Sequence, residues 1–503
     1  MQPLLVGVDV GTTNIKAAVF DQTGREIALA KAKTLTRYPH PGWAYYEPDE
    51  IWQNVLEVIR SVVSKIENPQ RIVSIACASM GEAGVVLDKA GNPIFPIIAW
   101  FDQRARAQAT QLASRIGAEV IMRITGLDIN PIFSLCKIIW IRDNQNDLYI
   151  KASKWLNIAD YISYKLCGVM ATDYSLASRT LMFNLNELRW SSEILNEVDT
   201  DINLLANLVP SGTQLGFILP EVAQVTGLPP TTIVSAGGHD HVCAALALGV
   251  VSQGTILDSL GSAEALFVPI EQVVIEPDLC RKGYAHGTHV AGGYYVMAGL
   301  FASGIAVEWF RESIAQGTSL EELIEEATHV SAGSLGAMFL PHLRTANTPH
   351  NDPLSLGAFI GLTTDIHRGA LFRAVLEGIA LEIYHALDVL SEKYSVNDLK
   401  IIAAGGGVKN NLLMNIKANV FGRPIIAKSI EEATTLGAAL LGGVGAGVYT
   451  NAKEAALSIY SESRVIEPDE KLMRIYADLY NEIYKYLYSS LRALNHKIIL
   501  LLK

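Results

Sequence analysis

Cysteine is scarce in this chain. There are five, Cys77, Cys136, Cys167, Cys243 and Cys280, an odd number with no CxxC pair, which excludes a disulfide framework and a cysteine-built zinc site. Reduced thiols suit the cytosol. That compartment is also expected because Met1-Gln2-Pro3-Leu4-Leu5 has no basic stretch before its apolar run, so no signal peptide is predicted. Long apolar runs are missing too. The longest, about Thr434 to Val448, is broken by Gly437, Gly442, Gly443, Gly445 and Gly447 and is shorter than a bilayer span. It predicts a buried helix and its exit, and no membrane partner. Excess basic charge is absent: 40 Lys and Arg stand against 51 Asp and Glu, a net charge of -11, which argues against a nucleic-acid surface. The sequence contains no Gly-Lys dipeptide, so a GxxxxGK[ST] phosphate loop is excluded. Nor is there a long polar or low-complexity stretch. With 50% hydrophobic and 18% charged residues, the chain reads as globular.

At 503 residues the chain exceeds what one core usually organises, and two domains are expected. The opening reads as a hairpin: an apolar strand Leu4 to Val8, a glycine turn Asp9 to Thr13, and a second strand Ile15 to Phe20. About 250 residues later the pattern recurs, with Thr255 to Asp258, the turn Gly261-Ser262-Ala263, and Glu264 to Val268. Repetition at half the chain length predicts two related domains, 1–251 and 252–503, each offering a glycine turn to a shared cleft. Both halves alternate strand-like and helical runs, an α/β pattern. In the second half, strand Lys400 to Ala404 ends in Gly405-Gly406-Gly407 and is followed by a helix from Asn410 to Phe421. A Tyr-rich amphipathic segment, Glu470 to Leu494, predicts a packing helix.

Turns of Gly, Ser and Thr after a strand aim backbone N–H groups at one place and admit an anion without a Cβ in the way. Gly11, Thr12 and Thr13 form one such turn, Gly261 and Ser262 another. Lys16 could reach a phosphate, and Asp9 is placed to hold a magnesium ion through water; an exposed lysine and a turn-capping aspartate are the plain alternatives. At Gly237-Gly238-His239-Asp240-His241 a strand ends in two glycines and a carboxylate that opens a helix. The helix dipole favours ionised Asp240, which suits a base toward an attacking hydroxyl; an ordinary helix cap is the alternative. His239, His241 and Cys243 also suggest a metal site, but no second ligand cluster in the sequence completes it. Beside a substrate-binding carboxylate, His239 serves equally well as a hydrogen-bond partner.

Taken together, several segments resemble the FGGY family of carbohydrate kinases. These are Gly7 to Thr13, Asp258 to Ser262, Phe339-Leu340-Pro341-His342, Thr348 to Pro353, Gly357 to Leu362, Arg373 to Gly378, Lys137 to Trp140, Thr172 to Ser178, and Gly405 to Gly407 with Asn410. The resemblance implies two actin-like (ribonuclease H-like) α/β domains flanking a central catalytic cleft. It implies ATP and Mg2+ as cofactors, a small sugar or polyol as partner, and Asp240 as catalytic base. Gly406, Gly407 and Asn410 fall where the family binds adenosine. Dimers are common in families of this kind, so a homodimer is the assembly expected if copies associate. In the substrate loops, xylulose kinases typically show Met-His where this chain has Gly81-Glu82, and glycerol kinases show Arg-Glu. Glu82 therefore resembles the glycerol-type ligand without its arginine, whereas Trp100, Asp102 and Arg104 look more like the pentulose pattern. Glu264 replaces a small residue common after the second phosphate turn. The expected activity is ATP-dependent phosphorylation of a small ketose (tetrulose, pentulose or hexulose). A polyol kinase of glycerol or erythritol type is the alternative, and an actin- or chaperone-like ATPase acting on proteins is the rival from another class.

Overall fold

The computed structural model describes residues 2–396 and 398–502. Strand β1 (Leu4–Val10) is buried along its whole length, as an inner strand covered on both faces must be. It pairs antiparallel with β2 (Asn14–Asp21), which pairs with β3 (Glu26–Lys33). On its other side β1 runs parallel to β4 (Ile72–Ser79), then come β6 (Ile233–His239) and, at the edge, β5 (Gln214–Phe217). The order is β5-β6-β4-β1-β2-β3. Helix α1 (Pro48–Val63) begins with proline in its first turn and buries Ile51, Val55, Val58, Ile59 and Val62 in the core beside this sheet.

The second half repeats the plan. β7 (Thr255–Leu260) and β8 (Glu264–Ile270) form a hairpin, and β9 (Ala285–Thr288) and β10 (Tyr294–Leu300) extend it. On the far side of β7 lie the parallel β11 (Lys400–Ala404) and β12 (Ile425–Lys428), then β13 (Ser463–Ile466). With β9 set aside, the two sheets follow the same sequence of antiparallel and parallel pairings from edge to edge. The repeated hairpins read from the sequence therefore open two copies of one architecture.

What joins the halves is a pair of helices. α2 (Asp240–Ala247) follows β6, and α5 (Ala433–Gly445) is the apolar, glycine-interrupted run. Their glycines explain themselves: a Cβ at Gly7 would lie 1.9 Å from Thr435 O, and one at Gly437 would lie 1.9 Å from Cys243 O. Only hydrogen fits there, and α5 presses directly onto the first sheet and onto α2. Leu5, Ala78, Val242, Leu246, Leu257, Ile402, Leu436 and Leu440 share one buried cluster across this seam. In the second half α3 (Arg368–Ser391) and α4 (Asn411–Phe421) cover the core. The Tyr-rich C-terminal segment is helical from Glu470 to Leu502 with one wider turn at Tyr480–Tyr484. Among the described residues, no helix is long and apolar enough to cross a membrane.

Candidate active site

The first turn follows β1. Gly11 N donates to Asn14 O (3.0 Å), Thr34 Oγ1 donates to Gly11 O (2.7 Å), and Trp100 Nε1 donates to Thr12 Oγ1 (2.9 Å). Trp100, expected on the substrate loop, thus touches the turn after β1. Asp9 is buried, and its Oδ1 has no hydrogen-bond partner among the described residues. Burial pushes its pKa from 3.8 up to about 8; the negative charges of Asp240 and Glu432 add to this, and Lys16 opposes it. Lys16 does not point free toward a phosphate. Its Nζ donates to Glu432 Oε2 (2.7 Å), while Lys31 Nζ holds Oε1 (2.6 Å). Glu432 precedes α5, so Lys16 ties the two halves together beside Asp9.

Asp240 is the first residue of α2, and the cap position belongs to His239. Its Oδ1 accepts from His241 N (2.6 Å) and lies 3.4 Å from His239 Nε2. The plain helix-cap alternative therefore fails on position: the carboxylate stands inside the first turn and is partly exposed. His239 is buried. Burial lowers its pKa to about 3, with Arg179 and His241 adding and Asp240 opposing, so the imidazole is neutral and its Nδ1 lacks a partner among the described residues. The His239 and His241 rings lie 5.7 Å apart, and no metal-ligating cluster forms with Cys243 among the described residues.

Glu82 occupies a left-handed backbone conformation, φ 63°, unusual for a residue with a side chain. Its Oε1 receives Arg179 Nε (2.7 Å) and Nη2 (2.6 Å), and its backbone oxygen receives Lys137 Nζ (3.0 Å). Arg179 directly follows the family-like segment Thr172 to Ser178 but is not among the site residues expected from the sequence. The glycine at 81 explains its position: a Cβ there would lie 2.9 Å from His239 Nε2 and 3.3 Å from Arg179 Cγ. The arginine missing at position 81 is supplied from 97 residues beyond Glu82. Lys137 is fully buried, and burial brings its pKa down to about 7 against the pull of Glu82 and Asp102. Asp102 and Arg104, expected as substrate ligands, are buried and committed to each other (2.8 Å); Asp102 also accepts from Ala44 N (2.5 Å). The Arg104 guanidinium lies over Trp43 (4.3 Å) and Trp140 (5.1 Å). This pair shapes the loop from inside.

In the second half, Gly261 and Ser262 form an exposed turn whose carbonyls accept from the backbone N–H groups of Gly304 (3.1 Å) and Ile305 (3.1 Å). The Gly405–Gly407 turn packs against it. Gly405 has φ 100°, and Cβ atoms at Gly405 and Gly407 would lie 2.4 Å from Leu260 O and 2.7 Å from Leu260 Cβ. Gly406 differs from both, because a Cβ there would meet nothing within 4 Å. Asn410 Oδ1 caps α4 by accepting from Leu413 N (3.1 Å). Glu264 finds its partner on the same helix. Lys417 Nζ lies between Asp258 Oδ2 (2.8 Å) and Glu264 Oε1, and Ser303 Oγ donates to Glu264 Oε2 (2.7 Å). This buried triad fixes the Gly261–Ser262 hairpin to the helix that follows the Gly406 turn.

Residues 4–247 match the N-terminal domain of the FGGY carbohydrate kinases, and residues 259–446 match the C-terminal domain. The chain belongs to the FGGY family. Across the whole length it resembles a xylulose kinase of Lactococcus lactis subsp. lactis, 29% identical over 502 residues and covering 98% of each chain. It is 29% identical over 479 residues to a glycerol kinase of Thermococcus kodakarensis, covering 94% of each. In fold it matches a ligand-bound xylulose kinase from Lactobacillus acidophilus with a TM-score of 0.92 at 24% identity, over 99% of this chain and 100% of that one. As an FGGY protein the chain is an ATP-dependent carbohydrate kinase that phosphorylates a sugar or polyol.

Proposed function

We propose that this FGGY kinase transfers the γ-phosphate of ATP to a hydroxyl of a small ketose, a tetrulose, pentulose or hexulose, with Asp240 as general base. The observation that carries the reading is the position of Asp240: first residue of a helix, beside neutral His239, with its charge felt at buried Asp9. Asp240 takes the proton of the acceptor hydroxyl as its oxygen bonds to the γ-phosphorus and the bond to the ADP oxygen breaks. His239 and Glu82 line the acceptor side in residues 1–251; Gly261, Ser262, Gly406, Gly407 and Asn410 line the nucleotide side in 252–503. Asp9 fits a divalent cation, since an orphaned buried carboxylate oxygen with a raised pKa is what a missing positive charge leaves behind. Bound there, Mg2+ would supply charge neutralisation for the phosphates.

One observation favours a polyol as the second reading. Arg179 restores in space the arginine–glutamate pair expected of glycerol-type sites. The test is acceptor-dependent ADP release across tetruloses, pentuloses, hexuloses and their reduced polyols. A ketose should be turned over with a higher kcat/KM than its polyol; the reverse order selects the second reading, and ADP release indifferent to every acceptor refutes both.

A further inference from the structure

Outside the cleft, the second half contains a histidine cluster that the kinase reaction does not use. His342 follows the short strand Met338–Leu340, His350 sits in the Thr348–Pro353 loop, and Glu382 lies on α3. One ligand atom from each lies within 4.8 Å of the others. His342 Nε2 is 2.9 Å from Glu382 Oε1, and His350 Nε2 is 3.8 Å from the same oxygen. In a tetrahedral zinc site, where metal–nitrogen bonds are about 2.0–2.1 Å, neighbouring ligand atoms stand roughly 3.3 Å apart. The observed spacing brackets that value.

We propose that His342, His350 and Glu382 form a binding site for a Zn2+-like transition-metal ion, independent of the kinase site. Two features beyond proximity support it. First, Glu382 is buried, and among the described residues its only ion-pair partners are imidazoles; no Lys or Arg lies within salt-bridge reach. Among the described residues its oxygens are held by the His342 imidazole and the Tyr484 hydroxyl alone, and a divalent ion would add the positive charge that no Lys or Arg supplies there. Secondly, the ligands are oriented from behind, as metal ligands usually are. His342 Nδ1 meets Ser355 Oγ (2.7 Å), and Tyr484 OH donates to Glu382 Oε2 (3.0 Å), leaving Oε1 for the ion. The Tyr488 ring stacks on His350 at 3.7 Å. A neutral His342 needs only to move its proton from Nε2 to Nδ1, where Ser355 Oγ can accept it, to free the Nε2 lone pair.

Imidazole donors select zinc, cobalt or nickel over magnesium, whose preferred ligands are oxygens. The fourth position would go to water or to His385, whose ring lies 5.2 Å from that of His350 and whose Nδ1 meets Tyr480 OH (2.8 Å). The ion would clip the Thr348–Pro353 loop to α3, beneath the C-terminal helix that carries Tyr488.

Full-length protein stripped with a chelator and titrated with Zn2+ and with Co2+ tests the site. The expected result is one equivalent bound, with Co2+ giving the intense visible absorption of a four- or five-coordinate ion, and no competition from excess Mg2+. His350→Gln removes a partly exposed ligand, and Ser355→Ala removes only the support behind His342. Loss of such support weakens metal binding roughly 10- to 100-fold, and loss of the ligand should cost at least as much. His329→Gln, on an exposed surface, should leave binding unchanged. Absence of stoichiometric binding by the wild type would overturn the proposal whatever the variants do. So would binding equally tight in wild type, His350→Gln and Ser355→Ala.

Discussion

Replacing Asp9 by asparagine should make the nucleotide-free protein more stable while disabling it, and the size of the effect should depend on pH. Asp9 ionises near 3.8 in an unfolded chain and only near 8 in the fold, because burial and the nearby Asp240 disfavour its charged form. Between those values the native state binds more protons than the unfolded state, so this group's contribution makes stability fall as pH rises. The direction is opposite to that of an ordinary salt-bridged aspartate. At about 1.4 kcal/mol per pKa unit, the full gap sets a ceiling of roughly 6 kcal/mol by pH 8. Relaxation and water entry into a cleft reduce such penalties to a few kcal/mol. For a unit of about 250 residues that corresponds to a rise in Tm of roughly 5–10 °C for Asp9→Asn at pH 8. The difference should shrink as pH falls and vanish below about pH 3, where Asp9 is protonated in both states. Differential scanning calorimetry of both proteins across this range is the assay. Mg2+ with a non-hydrolysable ATP analogue should stabilise the wild type and not the variant. An Asp9→Asn variant that melts at or below the wild type at pH 8, or a difference that does not change with pH, would refute the reasoning.

Asp240→Asn should cut acceptor-dependent ADP release by roughly 10²- to 10⁴-fold, the usual span for a general base, with ATP affinity measured by calorimetry changed little. Gly406→Ala should leave Tm unchanged, since its Cβ meets no protein atom, but should raise the KM for ATP; an unchanged KM would remove Gly406 from the nucleotide surface. Glu82→Ala should raise the KM for the acceptor more than that for ATP, and should also destabilise the fold by about 3–5 kcal/mol by leaving Arg179 buried and unpaired. Lys417→Met strands Asp258 and Glu264 without their cation, a loss of similar size that chemical denaturation should find smaller at acid pH, where the carboxyls are protonated.

The two hairpins are legible in the sequence because each is local: a strand, a glycine turn and a returning strand within about 17 residues. The apolar run near Gly437 is legible as buried, yet its destination is not. The close packing of Gly7 on Thr435, where an added Cβ would lie 1.9 Å from Thr435 O, joins residues more than 400 apart. The same distance in sequence hides the partners of the charged site residues. Lys16 reads as a free phosphate ligand because Glu432 lies 416 positions away, and Glu264 reads as a departure because Lys417 lies 153 away. Arg179 directly follows the family-like segment Thr172 to Ser178, yet its role is not legible there; its meaning comes from the space that Gly81 leaves. Asp102 and Arg104 look like ligands in a loop and prove to be each other's partners. The tyrosines of the C-terminal segment, read as packing residues, gain their reason from the acids they face. Tyr476, Tyr480, Tyr484 and Tyr488 recur every fourth residue and donate to Glu377, Asp388, Glu382 and Asp352.

The central claim is that two phosphate-gripping turns bring ATP to an acceptor hydroxyl activated by Asp240. Its most direct test is ADP release by wild type and Asp240→Asn, measured against the panel of ketoses and polyols, with 31P NMR of the product. At least one acceptor should stimulate the wild type strongly and yield a sugar or polyol phosphate, and the variant should lose that stimulation while still binding ATP. Stimulation that survives in Asp240→Asn, or ADP release yielding only inorganic phosphate with every acceptor, would contradict the account.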